Sequence, residues 1–240
     1  MEDFGLFETM FSARALRRFR SDAVPNELIS KILEAGIQAP SGGNAQSWLF
    51  VVIKDEEQRR KVAAVYAKAS KVIRYFYSKR ERPSHMSEIQ YERLMNSGVY
   101  LHEHMSEAPI LLLACLKLSS SSNPADVPPD CERVKPEALI VQAERTRCGS
   151  IYPAVQNIIL ACRALGLGTV ITTNHLLYAD EIRNVLRLPG NVETYALMPI
   201  GFPRDNFGPV RRRPHRGGTA RRLGQALAWL VSGRANIDWL

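Results

Sequence analysis

Residues 108–118 read APILLLACLKL, an almost unbroken apolar run with polar residues on both sides. It is far shorter than the ~20 residues a membrane helix requires. A short apolar run bracketed in this way predicts a buried strand. Trp48–Ile53, Thr169–Thr173 and Thr194–Ile200 read as further strands. Between them the apolar residues recur at three- and four-residue steps. The spacing of Leu28, Ile29, Ile32 and Leu33 predicts a helix ending near Gln38. Val155, Ile158, Ile159, Cys162 and Leu165 predict a second, stopped at Gly166. Shorter helical patterns cover Phe4–Met10, Glu57–Lys71 and Asp180–Leu188, and one or two helices are expected within 72–105. Helices and strands alternate irregularly, with no internal repeat and no clear linker. The expectation is one α+β domain over residues 1–240.

The 240 residues are 45% hydrophobic and 23% charged, which is ordinary globular composition. A formal charge of +8 is compatible with nucleic acid, an anionic surface or a phosphorylated cofactor. No RNA-binding motif or helix-turn-helix accompanies it, so the reading is no nucleic acid and no membrane. The N-terminus is acidic early and has no long apolar core, unlike a secretion signal. A cytoplasmic protein is expected. Of the four cysteines, Cys115 and Cys162 lie in apolar runs and read as buried thiols, and none forms a C-x-x-C pair. His102-Glu103-His104 invites a metal reading, but helical i and i+2 positions diverge and no third ligand is evident. No metal is expected.

Nucleophile-elbow, zincin and P-loop signatures are absent. The only G-x-G, Gly166-Leu167-Gly168, ends a helix instead of opening one, so it is not a dinucleotide fingerprint. Three segments do carry chemistry. Arg14-Ala15-Leu16-Arg17-Arg18-Phe19, if helical, puts Arg14, Arg17 and Arg18 on one face. Arginine forks grip phosphate, and their charge can steady an anionic ring; the alternative is a solvated basic face. In Gln38–Ile53, QAPSGGNAQSWLFVVI, glycines allow close backbone approach to a ligand. Asn44 and Gln46 both donate and accept there. The alternative is a plain helix-to-strand loop. Pro209–Pro214 holds Arg211, Arg212 and Arg213 between prolines, and by itself is equally a solvated charged loop.

As an ordered set these segments resemble the nitroreductase family of flavin-dependent oxidoreductases. The matches are Arg14–Phe19, Ala39–Trp48, Ala164–Thr173, Ile200–Pro203 and Arg211–Pro214, spanning nearly the whole chain. Departures are Ala13 and Ala15, where the family often has Arg and Ser, and Ser47, where it usually has Pro. The resemblance implies a central, mainly antiparallel sheet flanked by helices, in an intertwined homodimer with FMN at its interface. It implies that Arg14, Ala15 and Arg17 contact the flavin phosphate, ribityl chain and pyrimidine edge. Pro40 and Ser41 would pass along the ring, and Asn44 and Gln46 would reach its polar parts. Thr172 and Thr173 would bring backbone to it, and Arg211 and Arg212 would complete the phosphate clamp. Region 72–105 would be the variable substrate-pocket region, with Tyr66, Tyr75, Phe76, Tyr77 and Tyr91 as candidate aromatic lining, and 219–240 a C-terminal extension. The implied reaction passes hydride from NAD(P)H through FMN to a nitroaromatic, quinone or similar flat small-molecule acceptor by a ping-pong route, with no side chain as obligatory acid. Reductive dehalogenation, flavin fragmentation, or flavin binding without catalysis remain as alternatives.

Overall fold

The computed structural model describes residues 5–118, 135–210 and 212. Cys131, Arg211, Arg213 and the expected C-terminal extension 219–240 lie outside these residues. The elements in chain order are α1 (Leu6–Ser12), α2 (Asn26–Gly36), β1 (Trp48–Ile53), α3 (Glu56–Ser78), α4 (Glu88–His104), β2 (Ile110–Lys117), α5 (Pro136–Ala164), β3 (Gly168–Thr169), α6 (Ala179–Leu186) and β4 (Val192–Gly201). The four strands form an antiparallel sheet in the order β1-β2-β4-β3, so the fold is α+β.

The apolar run that predicted a buried strand is β2, at the centre of this sheet. Its residues alternate between two cores, as a period of two requires. Ile110, Leu112, Ala114 and Leu116 pack with Ile29 and Ile32 of α2 and with Ile151, Val155 and Ile158 of α5. Leu111, Leu113 and Cys115 pack with Val62, Val65 and Tyr66 of α3 and with Ile182 of α6. An antiparallel strand needs this unbroken apolar character only because helices cover both faces of the sheet.

Helix starts follow local chemistry. The Asp55 carboxylate caps α3 by accepting from the Gln58 N–H at 2.8 Å. Ser87 and Gln90 form a reciprocal capping box at α4. Asp55→Ala is expected to cost about 1 kcal/mol, the usual worth of an N-cap. A urea melt should show this as a lower midpoint at unchanged slope.

Two expectations need correction. Arg14–Phe19 is not helical. Leu16 N–H donates to the Thr169 carbonyl at 3.0 Å, Arg20 N–H to that of Phe202 at 2.8 Å, and Phe19 bridges Pro203. The segment therefore runs extended beside the β3 and β4 ends, with Leu16 and Phe19 buried. Arg14, Arg17 and Arg18 do not share a helical face. The predicted strand Thr169–Thr173 is paired as a strand only at Gly168–Thr169; beyond it Thr172 makes a single bridge to Leu197. Helix α5 is also much longer than its apolar stripe, because its first turns carry little apolar burial to betray them.

Candidate functional site

A cavity of about 420 Å³ lies between α3, α4 and the segment 170–174. The α3 wall is set by helical spacing: Tyr66, Ile73 and Tyr77 recur at steps of seven and four on one face. The α4 wall is built the same way from Tyr91, Leu94, Met95 and Gly98. Of the five aromatics proposed as lining, Tyr66, Tyr77 and Tyr91 reach this cavity, whereas Tyr75 and Phe76 are not among its walls and are exposed. Region 72–105 thus supplies much of both walls.

Arg17 reaches the cavity from the extended N-terminal segment, between the buried anchors Leu16 and Phe19. Its guanidinium donates to the Ser97 hydroxyl of α4 at 3.1 Å. Burial lowers its pKa, as does neighbouring Arg14, while Tyr66 acts in the opposite sense. No carboxylate pairs with it among the described residues. It is a half-buried cation facing a largely apolar hollow, a costly arrangement unless an anion or polar edge is to meet it.

Thr172 and Thr173 line the same cavity. The loop that carries them is clamped to α3. The Thr172 hydroxyl donates to the Tyr66 hydroxyl oxygen at 3.2 Å, and the Asn174 amide donates to the Ser70 hydroxyl at 3.1 Å. Burial pushes the Tyr66 pKa up, with the Thr172 and Ser70 hydrogen bonds opposing it, so its phenol stays protonated at neutral pH. Ser70, Ser97 and Arg74 were missed by sequence reasoning. Ser70 had a signal, since it stands four residues after Tyr66 on the buried face of α3.

Arg14 is exposed at the end of α1, beside residues 207–210. Val210 N–H donates to the Phe11 carbonyl at 2.8 Å, so the chain returns to α1 two residues before Arg212. Ala15 is exposed between them.

The Ser41–Gln46 loop stands elsewhere. Gly43, Asn44 and Gln46 adopt φ of 58°, 53° and 50°, left-handed values that suit glycine and asparagine but strain glutamine. The turn is held from inside: the Ser41 hydroxyl accepts from Gln46 N–H at 3.0 Å, and the Gln46 amide donates to Asn44 at 3.2 Å. Its outer anchor is Ser150 of α5. The Ser150 hydroxyl accepts from Gly42 N–H at 3.1 Å and its carbonyl from the Trp48 indole at 2.8 Å. Pro40, Asn44 and Gln46 are exposed and Ser41 is half-buried. Near the C-terminal end of α5, Arg163 Nε donates to the Ser12 hydroxyl at 2.7 Å. Residues 150 and 163 are about 20 Å apart along a helix rising 1.5 Å per residue. One chain therefore brings Arg17, Thr172 and Thr173 together at one cavity. It tethers the Ser41–Gln46 loop near the middle of α5 and the Arg14 segment near its C-terminal end.

Elsewhere, His102-Glu103-His104 lies on α4, where the His102 ring meets Tyr66 edge-on at 5.7 Å and His104 pairs with Glu107 at 2.7 Å. No cluster of His, Cys, Asp or Glu suited to a metal ion occurs among the described residues. Nor is any of their helices long and apolar enough to cross a membrane.

An NADH dehydrogenase of Thermus thermophilus is 24% identical over 215 residues, covering 84% of this chain and 88% of that protein. Iodotyrosine deiodinase 1 of Rattus norvegicus is 25% identical over 197 residues; the match covers 82% of this chain but only 61% of that protein. A crystal structure of oxidised iodotyrosine deiodinase bound to FMN and 3-iodo-L-tyrosine shares the fold, with a TM-score of 0.63 and 22% identity over 88% of this chain and 96% of the other. The family model described as the Nitroreductase family matches residues 11–202, and the chain belongs to that family.

Proposed function

We infer that the protein is an FMN-dependent oxidoreductase that takes hydride from NADH or NADPH and reduces a flat small-molecule acceptor, a nitroaromatic or quinone, in the cytoplasm. The observation that carries this reading is Arg17, a half-buried cation at a largely apolar cavity with no carboxylate partner among the described residues. A flat ring with a polar, electron-accepting edge fits that combination. Bound there, FMN would supply the hydride chemistry, and the protein position and charge.

Arg17 would set positive charge at the pyrimidine edge. Arg14, with Arg212 arriving behind Val210, would hold the phosphate; Arg211 belongs to the same clamp by resemblance. Ala15 would follow the ribityl chain, and Thr172 and Thr173 would present backbone to the ring. The anchorage of the Ser41–Gln46 loop about 20 Å along α5 from that of the Arg14 segment supports a site shared by two chains. Pro40, Ser41, Asn44 and Gln46 would then come from the second copy. A homodimer also accounts for the apolar face of α1, where Phe7 is 69% and Phe11 64% exposed, and for Ile140 on α5 at 55%. Donor and acceptor would use the one cavity in turn, which is ping-pong kinetics.

The deiodinase relatives favour a second reading, reductive dehalogenation of an aromatic at the same site. The test is the visible spectrum of the purified protein, then anaerobic reduction by each nicotinamide and reoxidation by a panel of nitroaromatics, quinones and halophenols. A flavin spectrum bleached by NADH or NADPH is expected. A colourless protein that takes up no FMN would end the reading, and bound FMN that neither nicotinamide reduces would leave a flavin-binding protein.

A further inference from the structure

Three guanidinium groups line the cavity, those of Arg17, Arg74 and Arg80, against one carboxylate, Glu81. None of the four takes part in an ion pair among the described residues. Arg17 belongs to the flavin in the reading above, and the present inference rests on that reading. Arg74 and Arg80 are then left for whatever occupies the rest of the space. Both stand on the α3 side of the cavity, at the last turns of the helix and just beyond it. Arg80 lies over the Tyr77 ring at 4.5 Å, which holds its planar fork at the wall. Arg74 also lines a neighbouring hollow with Lys71, three residues back on the same helix, so the positive rim continues outward. His102 adds no charge of its own: burial, then Arg74, lowers its pKa. Apart from the uncharged polar segment Thr172–Asn174, the remaining walls are mostly aromatic or apolar, with Tyr91, Leu94 and Met95 facing from α4.

A space with flat apolar walls and two unpaired guanidinium groups at one side discriminates among acceptors. A neutral ring gains only the walls. A ring bearing a carboxylate or sulfonate also gains charge-assisted hydrogen bonds, with Arg suited to the planar bidentate geometry of a carboxylate. We propose that the acceptor is a flat aromatic carrying an acidic group, held by Arg74 and Arg80 with its ring between Tyr77 and Tyr91.

The test titrates the FMN-loaded, full-length protein with 4-nitrobenzoate and with its neutral counterpart 4-nitrobenzamide, following the flavin absorbance. The carboxylate is expected to bind about tenfold more tightly, the size of two solvent-screened ion pairs. The preference should shrink from low salt to about 1 M, where the screening length falls to about 3 Å. Arg74→Ala is placed at an exposed helical position that alanine suits. Together with Arg80→Ala it should bring the ratio to within about twofold, the loss expected when both screened pairs go. Arg74→Glu should favour 4-nitrobenzylamine over 4-nitrobenzoate. Equal affinity for acid and amide in a yellow, nicotinamide-reducible protein would overturn this proposal alone. A protein that takes up no flavin would overturn it together with the reading it rests on.

Discussion

Arg17→Ala is expected to slow hydride transfer from the nicotinamide to the bound flavin by about a hundredfold, the lower end for removing one preorganised electrostatic donor. The lower end applies because Arg17 is only half-buried, so water screens part of its charge. Leu16 and Phe19 hold the extended segment against the sheet, which leaves the intervening Arg17 to reach the cavity. Ser97 then fixes the guanidinium by its hydroxyl. Reduction places negative charge on the ring, and a positive group already in position favours that state without reorganising. The flavin midpoint potential should fall along with the rate, which a merely structural role would not produce. Arg17→Lys, which keeps the charge and loses the fork, should restore part of both. The anchors on either side remain, so the melting temperature should change little. An unchanged potential in Arg17→Ala would remove Arg17 from the flavin.

The second large effect concerns stability below neutral pH. His175 is fully buried in the turn Asn174–Tyr178, and neither ring nitrogen has a hydrogen-bond partner among the described residues. Burial lowers its pKa from 6.5 to about 4. Between those values the unfolded chain holds a proton that the folded chain does not. Stability is therefore present in full above about pH 6.5 and is lost progressively as pH falls toward 4. At 1.36 kcal/mol per unit the loss amounts to about 3 kcal/mol. Urea melts from pH 7.5 downward should show it, and His175→Phe should flatten the profile through that window. Carboxylates titrate in the lower part of the same range, so the difference between variant and parent is the informative quantity. Parallel profiles would mean that His175 finds a partner or water when folded. Because this turn directly follows Thr172 and Thr173, the same protonation should loosen a wall of the cavity.

The buried strand and its neighbours were legible because their signals are local. Trp48–Ile53 is bounded by turn residues on one side and by Lys54-Asp55 on the other, and it forms β1 with those limits. Arg14–Arg18 misled because arginines at i, i+3 and i+4 fit a helix, while the forces that decide the segment are distant. Leu16 and Arg20 find carbonyl partners at Thr169 and Phe202, well over a hundred residues away. Tertiary pairing overrides local spacing in such a case. The first half of α5 escaped because residues 135–149 have little buried surface to generate a stripe. The cavity is the least legible feature. Its chemistry depends on Ser70, Ser97 and Arg74, ordinary residues on helices whose meaning comes from what they face. The Gly42–Gln46 loop was conspicuous in the sequence, yet Ser150, which anchors it, gave no signal because it lies on another element more than a hundred residues further on.

One flavin gripped by two copies of this chain is the arrangement that a crystal structure of the FMN-loaded protein should reveal. The expected result is a flavin that touches Arg17 and Thr173 of one chain and Asn44 of the other, with Arg14 at its phosphate. A flavin held by a single chain, or one bound away from Arg17, would contradict the account.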